Sequence, residues 1–279
     1  NEFINIQSKG GILNCLTDET IQKEIEKIHQ LRLNDFCKRK NVLVGVNMYA
    51  NVKEELLPVN TISVVDRTKE INAHKSSRDN DKLKAAFLKL PKEINIDAAI
   101  ECSDLGALKN EIEETSWNIH SIPSLKITPL KKHRLAESFE QIRHKIYNLK
   151  KTPSIFLATM GPVKQHKARA DFARGFFEVA GFNVIYNKGY ESVDDAADEA
   201  IKSGAIAAVI CSTDDTYPEI VPEFTKKVKD KMVIILAGYP KEQIESHKAN
   251  GVDEFIYVGA DAYSILNNLV ELATKGKKK

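Results

Sequence analysis

Cysteine is scarce in this chain: 279 residues hold four, at positions 15, 37, 102 and 211, with no C-x-x-C pair. That is too few for a disulfide scaffold and points to reduced thiols in a cytoplasm-like compartment. Long apolar runs are missing too. The longest, Ala205 to Cys211, covers seven positions, whereas a membrane-spanning helix needs about 20. No amino-terminal segment joins a charged start to an apolar stretch and a small-residue cleavage site, so export has no support. Neither sign of charge dominates, since 41 Lys and Arg face 39 Asp and Glu for a net charge of +2. No global field therefore recruits nucleic acid or a membrane surface; only Lys275 to Lys279 form a basic block, which reads as a solvated tail. Trp117 and the eight tyrosines do not interleave with Lys or Arg as a base-stacking platform would. The seven histidines form no H-x-x-x-H or H-E-x-x-H pair, and no G-x-G-x-x-G or G-x-x-x-x-G-K is present. Zinc hydrolysis and nucleotide chemistry lose their usual signatures.

What is present is the composition of a globular protein, 42% hydrophobic and 29% charged, with room for about two domains. In the last 130 or so residues, β-rich runs alternate with helical runs. The expected strands are Ile155 to Thr159, Asn183 to Tyr186, Ile206 to Ser212, Met232 to Ala237 and Glu254 to Val258. The helices between and after them are expected at about Ala168 to Ala180, Val193 to Ser203, Pro218 to Lys229, Lys241 to Ala249 and Tyr263 to Ala273. Ser192 can cap a helix, and Gly181, Gly204 and Gly251 stand where helices stop. The third and fourth strands are apolar on both faces, as central strands of a parallel sheet are. A doubly wound fold follows, whose ligand crevice lies beyond the carboxyl ends of the strands, at Met160 to Ala170, Thr213 to Tyr217 and Gly238 to Pro240.

Residues 121–150 read as a linker, with two prolines and four basic residues in Ser121 to Arg134, and then a helix. In that helix Leu135, Phe139, Ile142, Ile146 and Leu149 share one apolar face. Residues 1–120 are less regular. Glu19 to Cys37, Asp81 to Leu90 and Ala107 to Glu114 have helical spacing, while Val42 to Val46 has the look of one buried strand. One strand cannot make a sheet. The segment is expected to be either a small, mostly helical region or the last part of a larger domain.

Four blocks carry a family resemblance: Gly10-Gly11-Ile12-Leu13 leading to Thr20-Ile21-Gln22; R-K-N-V-L-V-G-V-N-M-Y from Arg39 to Tyr49; R-L-A-E-S-F-E-Q-I-R from Arg134 to Arg143; and L-A-T-M-G-P-V-K-Q-H-K-A-R from Leu157 to Arg169. Together the chain resembles the carboxyl-terminal part of the small, or beta, subunit of adenosylcobalamin-dependent methylmalonyl-CoA mutase. The resemblance implies that 1–120 is the end of a TIM-barrel-like domain, and that 151–279 is a flavodoxin-like domain of cobalamin-binding type. Eight β-α units need about 250 residues, so on this reading the chain is a fragment, a processed product or a split subunit, as its first residue, Asn1, also suggests.

The family's cobalamin motif is D-x-H-x-x-G after the first strand, S-x-L after the third and G-G after the fourth. Here His166 matches the histidine, but Lys164 replaces the aspartate and Arg169 the last glycine; Cys211-Ser212-Thr213 and Ala237-Gly238 stand for the other two. A metal-bound imidazole normally gives its second N–H to a carboxylate, which Lys164 cannot supply. Arg169 projects a long side chain where glycine would let a nucleotide approach, and Asp214 and Asp215 add negative charge near the place of the cofactor's phosphate. His166, Ser212 and Gly238 are therefore degenerate cofactor-binding candidates, with His166 expected at a surface or interface. No residue is assigned as catalytic and no metal site is assigned.

The expected role is a non-catalytic small subunit, in the cytoplasm, that forms a heterodimer with the mutase large (alpha) subunit. The complex, and not this chain, would hold adenosylcobalamin for the interconversion of methylmalonyl-CoA and succinyl-CoA. The alternative keeps His166 as a cobalt ligand, with Ser212 and Gly238 lining a tail pocket; a third possibility on fold alone is a signalling-type binding module. Asp194, Asp195, Asp198 and Glu199 are expected to be a solvated helix face, Cys211 a buried small residue, and Gly259-Ala260-Asp261 a strand-to-helix turn.

Overall fold

The computed structural model describes residues 2–55, 63–90, 96–116, 126–187 and 189–275; Trp117, 121–125 of the linker and most of the basic tail lie outside them. The chain divides into two compact units, residues 1–54 with 129–279, and residues 55–128.

The larger unit begins with α1 (Glu2–Ser8), α2 (Ile12–Thr17) and α3 (Thr20–Cys37). The smaller consists of α4 (Val64–Ser77), α5 (Asn80–Phe87), α6 (Ile96–Asp104) and α7 (Lys109–Ser116). Leu83, Ala86, Leu90, Ala98 and Cys102 form its small core. Asp79 caps α5 through Lys82 N–H, and the Arg78 guanidinium grips the Glu111 carboxylate with bonds of 2.6 and 2.8 Å. The described part of 1–120 is thus mostly helical. Val42 to Val46, expected as a strand, is a correction: it forms a turn with a single bridge between Val44 and Met48. The reason is local hydrogen bonding. Buried Asn47 accepts from Leu43 N–H at 2.8 Å and donates to the Phe36 and Asn41 carbonyls, so the backbone groups a strand would offer a neighbour are used at home.

After α8 (Glu137–Tyr147) the β-α alternation runs as read from the sequence. It comprises β1 (Ser154–Thr159), α9 (Val163–Glu178), β2 (Asn183–Ile185), α10 (Val193–Ser203), β3 (Ala207–Cys211), α11 (Tyr217–Val228), β4 (Val233–Ala237), α12 (Ile244–Ala249), β5 (Glu254–Ile256) and α13 (Ala262–Lys275). The strands are all parallel, in the order β2-β1-β3-β4-β5, with Ile155 opposite Ala207 and Val209 opposite Ile235. Alternate residues feed opposite layers. Ile155, Leu157, Val209 and Ile235 meet α8, α9 and α13 on one face, while Phe156, Ala208, Ile210 and Ile234 meet α10, α11 and α12 on the other. Each such valine, leucine, isoleucine or phenylalanine side chain contributes about 1.5–3 kcal/mol by leaving water, which is why the strands need no polar face.

Helix punctuation follows the sequence. Ser192 accepts from Asp195 N–H at the start of α10, and Gly204 ends it in the left-handed conformation. Asp261 accepts from Ser264 N–H at the head of α13. Some boundaries move: α12 starts at Ile244 rather than Lys241, β5 ends at Ile256 rather than Val258, and α9 starts at Val163 rather than near Ala168, so the first crevice loop is only Met160 to Pro162. Pro162, extended at the cap position, suits the entry to a helix.

α8 docks by the face its spacing marked out. Phe139, Ile142 and Ile146 are buried, and Phe139 meets Phe36 from the end of α3 edge to face, with centroids 5.3 Å apart. Arg143 reaches past them and donates to the carbonyls of Gly45, Val46 and Val179, tying the 42–50 turn to the end of α9.

Candidate functional site

The strand order reverses between β1 and β3, and there the carboxyl ends of the strands open the crevice expected of this topology. Its floor is backbone: Met160 N–H bonds Cys211 O, Gly161 N–H bonds Tyr190 O, and Gly238 N–H bonds Ile256 O. All three sequence candidates border it, although they do not converge on one open space.

His166 sits in the first turn of α9 and is only 2% exposed, which corrects the expectation of a surface or interface histidine. Its Nδ1 lies 3.0 Å from Gly161 O. Starting α9 at Val163 turns the ring back onto the β1 loop, and the backbone at Gly189 closes over it. A Cβ there would come within 2.6 Å of both Gly161 O and His166 Cε1. The carbonyl takes the orienting place that Lys164 cannot fill.

Ser212 is fully buried; its hydroxyl accepts from Thr216 at 2.8 Å and donates to Met160 O at 3.4 Å. Gly238 has φ +144°, and the guanidinium of Arg169 lies directly against it, where any Cβ would collide with Nη1. Arg169 donates to Ala237 O at 2.6 Å, to Tyr217 Oη at 3.1 Å and to Asp214 Oδ1 at 2.8 Å.

Tyr217 joins these groups. Its buried hydroxyl donates to Ala237 O at 2.6 Å and accepts from Ser212 N–H and Arg169, whose guanidinium carbon is 5.3 Å from its ring centre. Burial works against the charged guanidinium, but the tyrosine and Asp214 outweigh it and hold the Arg169 pKa above its ordinary value. Burial also drives the Tyr217 hydroxyl up, so it stays a neutral donor. Behind it His247 meets the tyrosine ring edge on, with its pKa lowered by burial, and Nε2 is 3.0 Å from Gln243 Oε1. The Cys211 thiol is fully buried and pushed up by desolvation, which suits a packing residue rather than a nucleophile.

The central role of Tyr217 was not legible in the sequence, where it reads as the residue before a helix-starting proline. Its contacts depend on β3 and β4 lying side by side. The acidic cluster on α10 is exposed as expected, with Asp194 paired to Lys227 and Glu199 accepting from Tyr190 and Asn187. Among the described residues no group of three His, Cys, Asp or Glu is arranged to hold a metal, and no helix is long and apolar enough to cross a membrane.

These residues do not fit a corrinoid with a nucleotide tail. The histidine is enclosed, and the approach beside Gly238 is filled by an arginine whose hydrogen bonds are made within the protein.

A five-stranded parallel sheet in this order, covered by helices on both faces, defines a flavodoxin-like α/β domain. Comparison with known proteins bears out the resemblance read from the sequence. Residues 1–120 match the family model for methylmalonyl-CoA mutase. The methylmalonyl-CoA mutase small subunit of Porphyromonas gingivalis is 23% identical over 264 residues, covering 95% of this chain and 34% of that protein. The small subunit from Streptomyces virginiae is 28% identical over 144 residues, covering 50% of this chain and 22% of that protein. A cobalamin-binding protein from Desulfitobacterium hafniense aligns in structure with a TM-score of 0.37 at 17% identity, over 68% of this chain and 90% of its own. The chain thus spans about a third or less of the two curated relatives.

Proposed function

We propose that this chain is a non-catalytic small subunit, or part of one, of an adenosylcobalamin-dependent methylmalonyl-CoA mutase. On this reading residues 1–120 are the end of its barrel-like domain, 121–150 a linker and helix, and 151–279 a cobalamin-type domain that no longer holds the cofactor. The interconversion of methylmalonyl-CoA and succinyl-CoA belongs to the partner large subunit, where adenosylcobalamin supplies radical chemistry. This chain supplies a scaffold and an interface, and none of its residues touches substrate. The observation that carries the reading is Arg169, seated against Gly238 and held by Ala237 O, Tyr217 and Asp214.

The competing reading makes His166 a cobalt ligand. What favours it is the Gly161 carbonyl at Nδ1, which leaves Nε2 as the ring's other nitrogen. Mixing the purified chain with the mutase large subunit of the same cell separates the two readings. The proposal expects a complex of the summed mass whose mutase turnover is the same with His166→Ala as with wild type. No complex, or turnover lost with the variant, would overturn it.

A further inference from the structure

Arg39 is a half-buried cation with no counter-charge among the described residues. Lys38 caps the end of α3, and Arg39 follows at φ +56°, the left-handed position where glycine usually ends a helix. Its backbone is fixed there, with Arg39 N–H bonding Phe36 O at 3.0 Å and Lys40 N–H bonding Asp35 O at 2.9 Å. The side chain is fixed as well. Its guanidinium carbon lies 4.6 Å from the ring centre of Phe176 and 5.1 Å from that of Phe172, one turn apart on α9. Ring faces attract a cation but leave the N–H groups at the rim of the guanidinium without an acceptor. The carboxylates close in sequence to Arg39 and to the two rings are engaged by other cations: Asp35 by Lys40, Asp171 by Lys167 and Glu178 by Arg174. Burial, with no carboxylate to oppose it, lowers Arg39 to about 10. The carboxyl end of α3 favours positive charge, yet among the described residues the Arg39 side chain bonds none of its terminal carbonyls. Lys38, also half-buried, makes no ion pair there either.

We propose that Arg39, held on the shelf of Phe172 and Phe176, binds a phosphate group with the help of Lys38. A guanidinium whose rim is unbonded presents a fork that matches two oxygens of one oxyanion. Charge chooses phosphate over carboxylate: two successive cations stand uncompensated, and a phosphate monoester carries about −1.5 to −2 at neutral pH. The aromatic shelf gives the fork one direction before any ligand arrives, so little side-chain freedom is lost on binding. Because Arg39 keeps partial exposure, a small ion reaches it without rearrangement of α3 or α9. The ligand is the free ion or the end of a small organic phosphomonoester. The site lies apart from the crevice of Arg169 and does not depend on the mutase reading.

The test is calorimetric titration of the purified full chain with inorganic phosphate, ribose 5-phosphate and succinate, at constant ionic strength. Wild type is compared with Arg39→Gln, with Arg39→Lys, which keeps the charge and loses the fork, and with Lys202→Gln, a control at an exposed lysine ending α10. Circular dichroism establishes which variants are folded. Wild type and control are expected to bind phosphate saturably, Arg39→Gln about tenfold or more weakly, and Arg39→Lys more weakly than wild type. Ribose 5-phosphate binding more tightly than the free ion identifies an ester as the ligand, and equal or weaker binding identifies the ion; either supports the site. Absence of saturable binding of both phosphates to wild type overturns it, as does undiminished binding in whichever Arg39 variant folds. Succinate binding as tightly as phosphate overturns the choice of ligand.

Discussion

Arg169, three residues after His166, fills the space beside Gly238 with a set of internal hydrogen bonds. Arg169 places its guanidinium between Ala237 O, Tyr217 and Asp214 while staying 27% exposed, so its charge is paired without full desolvation. The tyrosine is the hub. Tyr217→Phe removes the acceptor of Ser212 N–H and one partner of Arg169, and is expected to cost about 1–3 kcal/mol. A lower midpoint in urea with an unchanged slope would show it, whereas an unaltered midpoint would mean that the network is incidental. At this scale the sequence revealed the departures from the resembled motif but not their result: Lys164 and Arg169 could be named, yet the Gly161 carbonyl meets His166 only because α9 starts at Val163, and the hydroxyl that holds Arg169 comes from Tyr217, a tertiary neighbour.

The elements were legible where periodicity and punctuation agreed. Five strands, the helices between them and the docking face of α8 follow from apolar spacing, Ser192 and the helix-ending glycines. The failures were of two kinds. Val42 to Val46 has strand composition, but a buried asparagine five residues on from Val42 spends its hydrogen bonds locally. The start of α9 shifted because Pro162 admits a helix behind it. Arg143 shows how elements are joined. Arg143→Met keeps much of the packing and removes the bonds to Gly45, Val46 and Val179, so amide exchange over 42–50 should quicken while that of β1 and β3 stays the same; equal quickening everywhere would refute a local clasp.

In the smaller unit, the Arg78 fork holds the Glu111 carboxyl at about 2, below the ordinary glutamate range. A lowered folded pKa stabilises fully above the unfolded value of about 4.3 and loses that contribution as pH falls toward 2. Protection of α4 and α7 in the full chain should therefore decline over that window. Glu111→Gln should be less protected at neutral pH and nearly flat there; a parallel decline in the variant would assign the effect to other carboxylates.

For the molecule as a whole, the sheet order fixes where a crevice must be, and the side chains decide whether anything enters. The same fold serves many functions, so the case for a non-binding subunit stands on Arg169 and the enclosed His166, not on topology. The most direct test is titration of the purified chain with hydroxocobalamin and adenosylcobalamin, followed by gel filtration and absorbance. The account predicts that the corrinoid separates fully from wild type and His166→Ala alike. A protein-bound spectrum that survives filtration and vanishes in the variant would contradict it.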